Sequence, residues 1–194
     1  MTWKTEKWME EVFPGKDKIY SNYRDLNARE FSIVSCAVID AALAELISIK
    51  LKKSSTSELE SFLGVNGDGR APCASLGAKL QLGYLLGILT ENDLKILRGF
   101  KNIRNKFAHS VNVDFSKKEI IKIVKNIHAS WVEMAEAIAS TTDLPINIES
   151  LKSVAGYFEE EPEACHGFLL GIFTIYQAYF HRKHDIVKAL DSET

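Results

Sequence analysis

The stretch that most constrains this chain is "IVSCAVIDAALAELISI", residues 33–49. Cys36, Ile39, Leu43, Leu46 and Ile47 recur at three- and four-residue steps, the period of a helix with one apolar face. Phe31, Val34, Val38, Ala42 and Ile49 form a second apolar stripe roughly opposite. A helix apolar on two sides must be enclosed by others, so it is expected at the centre of the fold. The helical pattern spans about 22–53. Asp40 falls at the edge of the first stripe and Glu45 within the second. A later apolar segment, "GFLLGIFTIYQAYF" (167–180), is shorter than the ~20 residues that a membrane span needs. Both segments read as buried helices of a soluble cytoplasmic protein, with no membrane contact expected.

The remaining chain is divided by breakers. Residues 1–20 read as an N-terminal arm. Pro14-Gly15 interrupts it, Trp3, Trp8 and Phe13 are suited to pin it, and it lacks the apolar core of a signal peptide. Ser57–Phe62 forms a short helical turn. "GVNGDGRAPCAS" (64–75) is the main loop, and it lacks the preceding strand and Gly-Lys-Ser/Thr ending of a phosphate-cradling loop. Residues 76–89 form a helix in which Gly77, Gly83 and Gly87 permit close backbone approach. Thr90 caps the next helix, Glu91 to about Ala108, with Asp93 as its capping-box partner. Ser116 and Glu119 form a second capping box, before "IIKIVKNIHASWVEMAEAIA". Thr142 and Pro145 break the chain, 147–158 suits a short helix, and the acidic turn "FEEEPEA" (158–164) leads into a last helix over about 163–189. No stretch alternates over the length of a strand. The expected fold is all-α, a single-domain multi-helix bundle over 21–190 preceded by the arm. The chain's 194 residues suffice for one substantial core.

With a formal net charge of −2, nothing global points to a nucleic-acid coat or a membrane-surface protein. The distribution is uneven. Residues 95–125 hold nine Lys or Arg against Asp114 and Glu119, so this segment carries +7 and the rest −9. Such a segment is either a solvated helix face or a surface for phosphate-rich or acidic partners. Cys36, Cys73 and Cys165, odd in number and irregular in spacing, form no disulfide framework and suit a reducing compartment. Cys36 is expected as a small core side chain, and Cys73 has no histidine nearby in sequence to activate it. His181 and His184 share a helical face and could join His166 or Cys165 around a metal, but no second ligand pair has zinc-site spacing. An exposed basic turn is the simpler reading. No metal and no cofactor are expected, since nucleophile-elbow, Walker and dinucleotide fingerprints are absent.

"RNKFAH" (104–109) is the segment with chemistry in it. At 100° per residue, Ile96, Phe100, Ile103 and Phe107 fall on one stripe, the expected core face. Arg98, Asn102, Asn105 and His109 fall on a second stripe roughly opposite, with Arg104 on the flank. Arg104 and His109 lie ~140° apart around an ideal helix and ~7.5 Å apart along it, so one copy does not easily aim both at a single atom. Either the helix ends near Ala108 and frees His109, or a two-fold partner brings its own strip alongside. In such a cleft a histidine can move protons and an arginine can clamp a phosphate, enough to drive attack of an RNA 2′-hydroxyl without metal. Arg104 and His109 are the candidate catalytic pair, and Arg98, Lys101, Asn102, Asn105 and Lys106 the candidate binding residues. The simpler alternative has Arg104 and His109 binding only carbonyls or a neighbouring helix.

"GAKLQLGYLLGILTENDLKILRGFKNIRNKFAHS" (77–110) resembles the middle of the mannitol operon repressor family. The similarity lies in the Lys79 helix with Tyr84 and "LGIL", in Asp93-Leu94 and in the "IRNKFAH" ending. Detailed agreement covers about a sixth of the chain. The resemblance implies an all-α cytoplasmic bacterial protein linked to transcriptional control of mannitol use, without a recognisable DNA-binding module and acting within larger assemblies. The chain itself has no helix-turn-helix with a basic recognition helix, so direct sequence-specific DNA binding is not expected. Arg104, Asn105 and His109 also resemble the signature of the HEPN superfamily, whose members include metal-independent RNases acting as dimers and non-catalytic RNA-binding or partner modules. The four-residue gap lies at the short end of that family's range. The leading expectation is a regulator that works through other regulatory proteins, as a homodimer. The alternative is a HEPN-like metal-independent endoribonuclease or RNA-binding module, so enzymatic activity stays open. A third expectation is purely structural, with the strip buried in the dimer.

Overall fold

A computed structural model describes residues 23–51, 55–65, 67–142 and 145–192, and for Thr56, His181 and residues 184–192 only the backbone. The arm at 1–20, the outer ends of the expected first helix and the side chains of His181 and His184 lie outside the described residues. The described chain is all-α, with seven helices and no strand. These are α1 (Ala28–Lys50), α2 (Thr56–Leu63), α3 (Leu76–Leu85), α4 (Glu91–His109), α5 (Lys118–Thr141), α6 (Ile148–Tyr157) and α7 (Pro162–Ser192).

α1 begins later than its apolar pattern suggested, because Asn27 supplies a complete capping box with Glu30. Among the described helices it alone is long and apolar enough to cross a membrane. Here that apolarity is met by packing, since Phe31, Cys36, Val38, Ile39, Ala42, Leu43, Ala44, Leu46 and Ile47 are all buried. Val34, in the second stripe, is only partly buried against the core.

Pairs of contacts set the helix directions. Arg29 and Cys36 of α1 meet the chain at Ser110 and Arg104, so α4 runs antiparallel to α1. Asp40 meets Lys79 and Leu43 lies beside Gly83, so α3 runs alongside α1 in the same direction. Lys106 meets Glu119 and Lys95 meets Glu133, so α5 runs back against α4. α7 closes the bundle. Its Phe173 packs edge-on against Tyr23 and Phe31, and its Tyr176 hydroxyl reaches Asp93 at the start of α4. α6 is tied to α5 through buried His128, whose Nε2 lies 2.7 Å from the Leu151 carbonyl oxygen.

Two expectations about local chemistry are corrected. Ser116 does not cap α5. The N-cap is Lys117, without a side-chain hydrogen bond, because the Ser116 hydroxyl donates to Asp114 and Glu119 pairs with Lys106. Gly87 is not a site of close approach. A Cβ there would meet open space, and glycine is required instead by φ +68° in the turn after α3. Close approach does occur at Gly83, against Leu89 and Leu43, and at Gly99, against Ile127.

Candidate functional site

α4 carries the candidate residues and is fixed at both ends. Thr90 and Asp93 cap its N-terminus reciprocally. At the other end the Arg29 guanidinium donates to the carbonyls of Ser110 (2.7 Å) and Val111 (3.1 Å), pinning the chain directly after His109. Ile96, Phe100, Ile103 and Phe107 are all buried, as the periodicity required. The helix continues through His109, so the imidazole is not freed by an early end at Ala108.

The polar strip divides into members with different surroundings. Arg98 is exposed and donates to the Gln81 side chain at 2.6 Å. Lys101 is half-buried, with its ammonium lying over Gly77 in the first turn of α3. Asn102 is exposed and Asn105 half-buried. Lys106 is exposed and pairs with Glu119 at 2.5 Å. Arg104 is half-buried, with its guanidinium beside the Cys36 thiol of α1. His109 is exposed. Within one copy, then, Arg104 is held toward α1 while His109 stands in solvent. The two are not converged on one point within that copy.

The surroundings of Arg104 define its chemistry. Burial pushes the Cys36 thiol up to about 12, against the pull of the Arg104 charge. The thiol is therefore neutral, and Arg104 has no carboxylate partner among the described residues. It keeps its full charge for an anion. The other two thiols are buried as well. Burial raises Cys73, and it pushes Cys165 up to about 11. None offers a thiolate nucleophile at neutral pH.

Two polar networks beside the strip escaped the sequence reading. Lys79 is 2% exposed inside the α1–α3 contact, where its ammonium donates to Asp40 (2.8 Å) and to the Ala74 carbonyl (3.1 Å). The second Asp40 oxygen is buried without a partner. Asp93, also buried, accepts from the hydroxyls of Tyr176 (2.7 Å) and Tyr179 (3.4 Å). Burial first, then the Asp93 charge, drives both phenols far above their ordinary range. Lys183 lies 5.0 Å over the Tyr179 ring and donates to the Ile88 carbonyl. Both networks lock helices together, and no group of three His, Cys, Asp or Glu among the described residues could hold a metal ion.

No protein-family model, no curated protein and no solved structure matches the chain.

Proposed function

We propose that this chain is a cytoplasmic regulatory protein of the mannitol operon repressor type, working as a homodimer through protein partners and not by reading operator DNA. The observation that carries the reading is the exposure of Arg98, Asn102 and His109 along the back of α4, a helix whose other face is buried to the core. Groups that hydrogen-bond well, presented on a rigid and doubly capped helix, suit recognition of another protein surface. The test is an electrophoretic shift with a mannitol-operon promoter fragment at physiological salt. The expected result is no preference over random DNA of equal length, and a clear preference overturns the partner-only reading.

A second reading is favoured by Arg104, a half-buried guanidinium that no carboxylate neutralises, on the same helix as exposed His109. In it the chain is a metal-independent endoribonuclease or RNA-binding module, with the pair completed across a dimer. Wild type and His109→Ala are incubated with mixed RNA in EDTA. Cleavage by wild type alone, leaving cyclic-phosphate ends, supports this reading, and equal behaviour removes it.

A further inference from the structure

Of the cations of the basic segment, Lys117, Lys118 and Lys122 stand exposed at the start of α5 without an ion pair among the described residues, and those of α4 together with Lys125 fall into two groups. Lys95 pairs with Glu91 and Glu133, Lys106 with Glu119, and Lys125 with Glu159. Arg98, Lys101 and Arg104, three residues apart along α4, have no carboxylate partner among the described residues. Their neighbours are an amide, a glycine and a thiol. Arg98 and Lys101 border the seam between α3 and α4, where Gly77 lies beside Lys101 and Gln81 beside Arg98, while Arg104 faces α1 at Cys36. One helical turn beyond Gln81, α3 exposes Tyr84 (39%) and Leu85 (70%). Along one line the seam thus offers an apolar end and then uncompensated positive charge, to which the first turn of α3 adds its own positive pole.

The complementary surface is on the same chain. The turn between α6 and α7 exposes Tyr157 (53%), followed by Glu160, Glu161 and Glu163, all exposed and none paired with a cation among the described residues. Phe158, buried in the core, fixes this turn to the body, and Glu159 is tied to Lys125 at 2.5 Å. An aromatic side chain followed by carboxylates has the order and the charge that the seam lacks. A nucleic-acid strand fits the seam less well. Arg98 and Lys101 stand three residues apart, about 4.5 Å of helix, too short a row to follow a phosphate backbone.

We propose that the 157–163 turn of one copy docks on the α3–α4 seam of another, Tyr157 against Tyr84 and Leu85 and the glutamates against Arg98 and Lys101. This deepens, and rests on, the homodimer in the function proposed above. The assay is sedimentation of the full chain across a salt series, with thermal unfolding of each variant confirming the fold. Wild type is expected to self-associate, at least tenfold more weakly at 500 mM than at 50 mM salt. Arg98→Glu with Lys101→Glu, or Glu160→Lys with Glu161→Lys, is expected to weaken association tenfold or more. The chain carrying all four substitutions is expected to recover most of it, because the charges are exchanged and not removed. If wild type associates but either pair leaves it unchanged, or the fourfold variant fails to recover, this docking is wrong while the homodimer stands. A wild type that remains monomeric at every salt concentration overturns both. If RNA binding is lost in the Arg98→Glu, Lys101→Glu chain and its self-association is untouched, the seam serves RNA and the docking is again overturned.

Discussion

Gly99 shows how one missing side chain sets a helix contact. A Cβ at this position would fall 2.6 Å from the Ile127 Cδ1 and closer still to its Cγ1, so α4 and α5 meet only because none is there. Alanine would raise helix propensity by about 1 kcal/mol, but Ile127 is 1% exposed and has nowhere to retreat. Overpacking of this kind costs about 1–3 kcal/mol. Gly99→Ala is therefore expected to destabilise by up to about 2 kcal/mol net, with Ile127→Val in the same chain recovering part of the loss. Chemical denaturation of the two singles and the double checks this, and an alanine variant more stable than wild type by its full gain in helix propensity refutes the contact. The buried ion pair gives a second prediction. Lys79→Ala strands Asp40 against apolar neighbours, and breaking a buried pair costs about 3–5 kcal/mol. Asp40 is one-third exposed, so about 2–3 kcal/mol is expected, and Lys79→Met with Asp40→Asn should lose less than Lys79→Ala alone. Neither site was legible at this scale. Periodicity marks which face is buried but not which atoms collide there, and two opposite charges 39 residues apart are a pair only once α1 and α3 lie side by side.

At the scale of the element, periodicity and breakers carried most of the reading. The core face of α4 could be named residue by residue from its 100° steps, and Thr90 with Asp93 marked its start. The start of α5 was misplaced for a physical reason. Ser116 and Glu119 have the right spacing for a reciprocal cap, but other partners take both groups, Asp114 two residues upstream the hydroxyl and Lys106 of α4 the carboxylate. The N-cap left behind is a lysine that caps nothing, with its charge at the positive end of the helix. Lys117→Asp is expected to stabilise the protein by about 0.5–1 kcal/mol, by accepting from the first free N–H groups and reversing that charge. A thermal melt that falls or stays level would show that the backbone at 117 cannot present the cap. The clamp on α4 works the other way. Arg29→Ala frees the Ser110 and Val111 carbonyls, and the amides of the last turn of α4, through His109, should exchange faster by hydrogen-exchange mass spectrometry while those of its first turn stay protected.

For the molecule as a whole, the joints between helices decide how the fold responds to acid, and His166 sits at one of them. Its ring stacks on Phe115 at 5.5 Å and leans on Phe31 at 5.0 Å, so it joins the starts of α7 and α1 to the segment after the motif helix. Its Nε2 is sealed from solvent without a hydrogen-bond partner. Burial lowers the imidazole below its ordinary value of 6.5. The unfolded chain then takes up this proton at a higher pH than the folded one. The contribution of His166 is complete above pH 6.5 and is lost as the pH falls from there through the depressed folded value. Asp114 and Glu159 are both held below their ordinary values of 3.8 and 4.5, chiefly by hydrogen bonds from Ser116 and Lys125. Their contributions persist to lower pH and fail only beneath those values. Two windows of acid destabilisation are expected, and His166→Phe should remove the upper one while keeping the ring contacts. Urea unfolding at steps from pH 7.5 to about 2.5 reads this directly. Wild type should lose stability below pH 6.5 where the variant stays level, and the two should then decline together below about pH 4.5. Parallel curves through the upper window would mean that the sealed imidazole already has a proton acceptor, and the joint would not respond to acid at all.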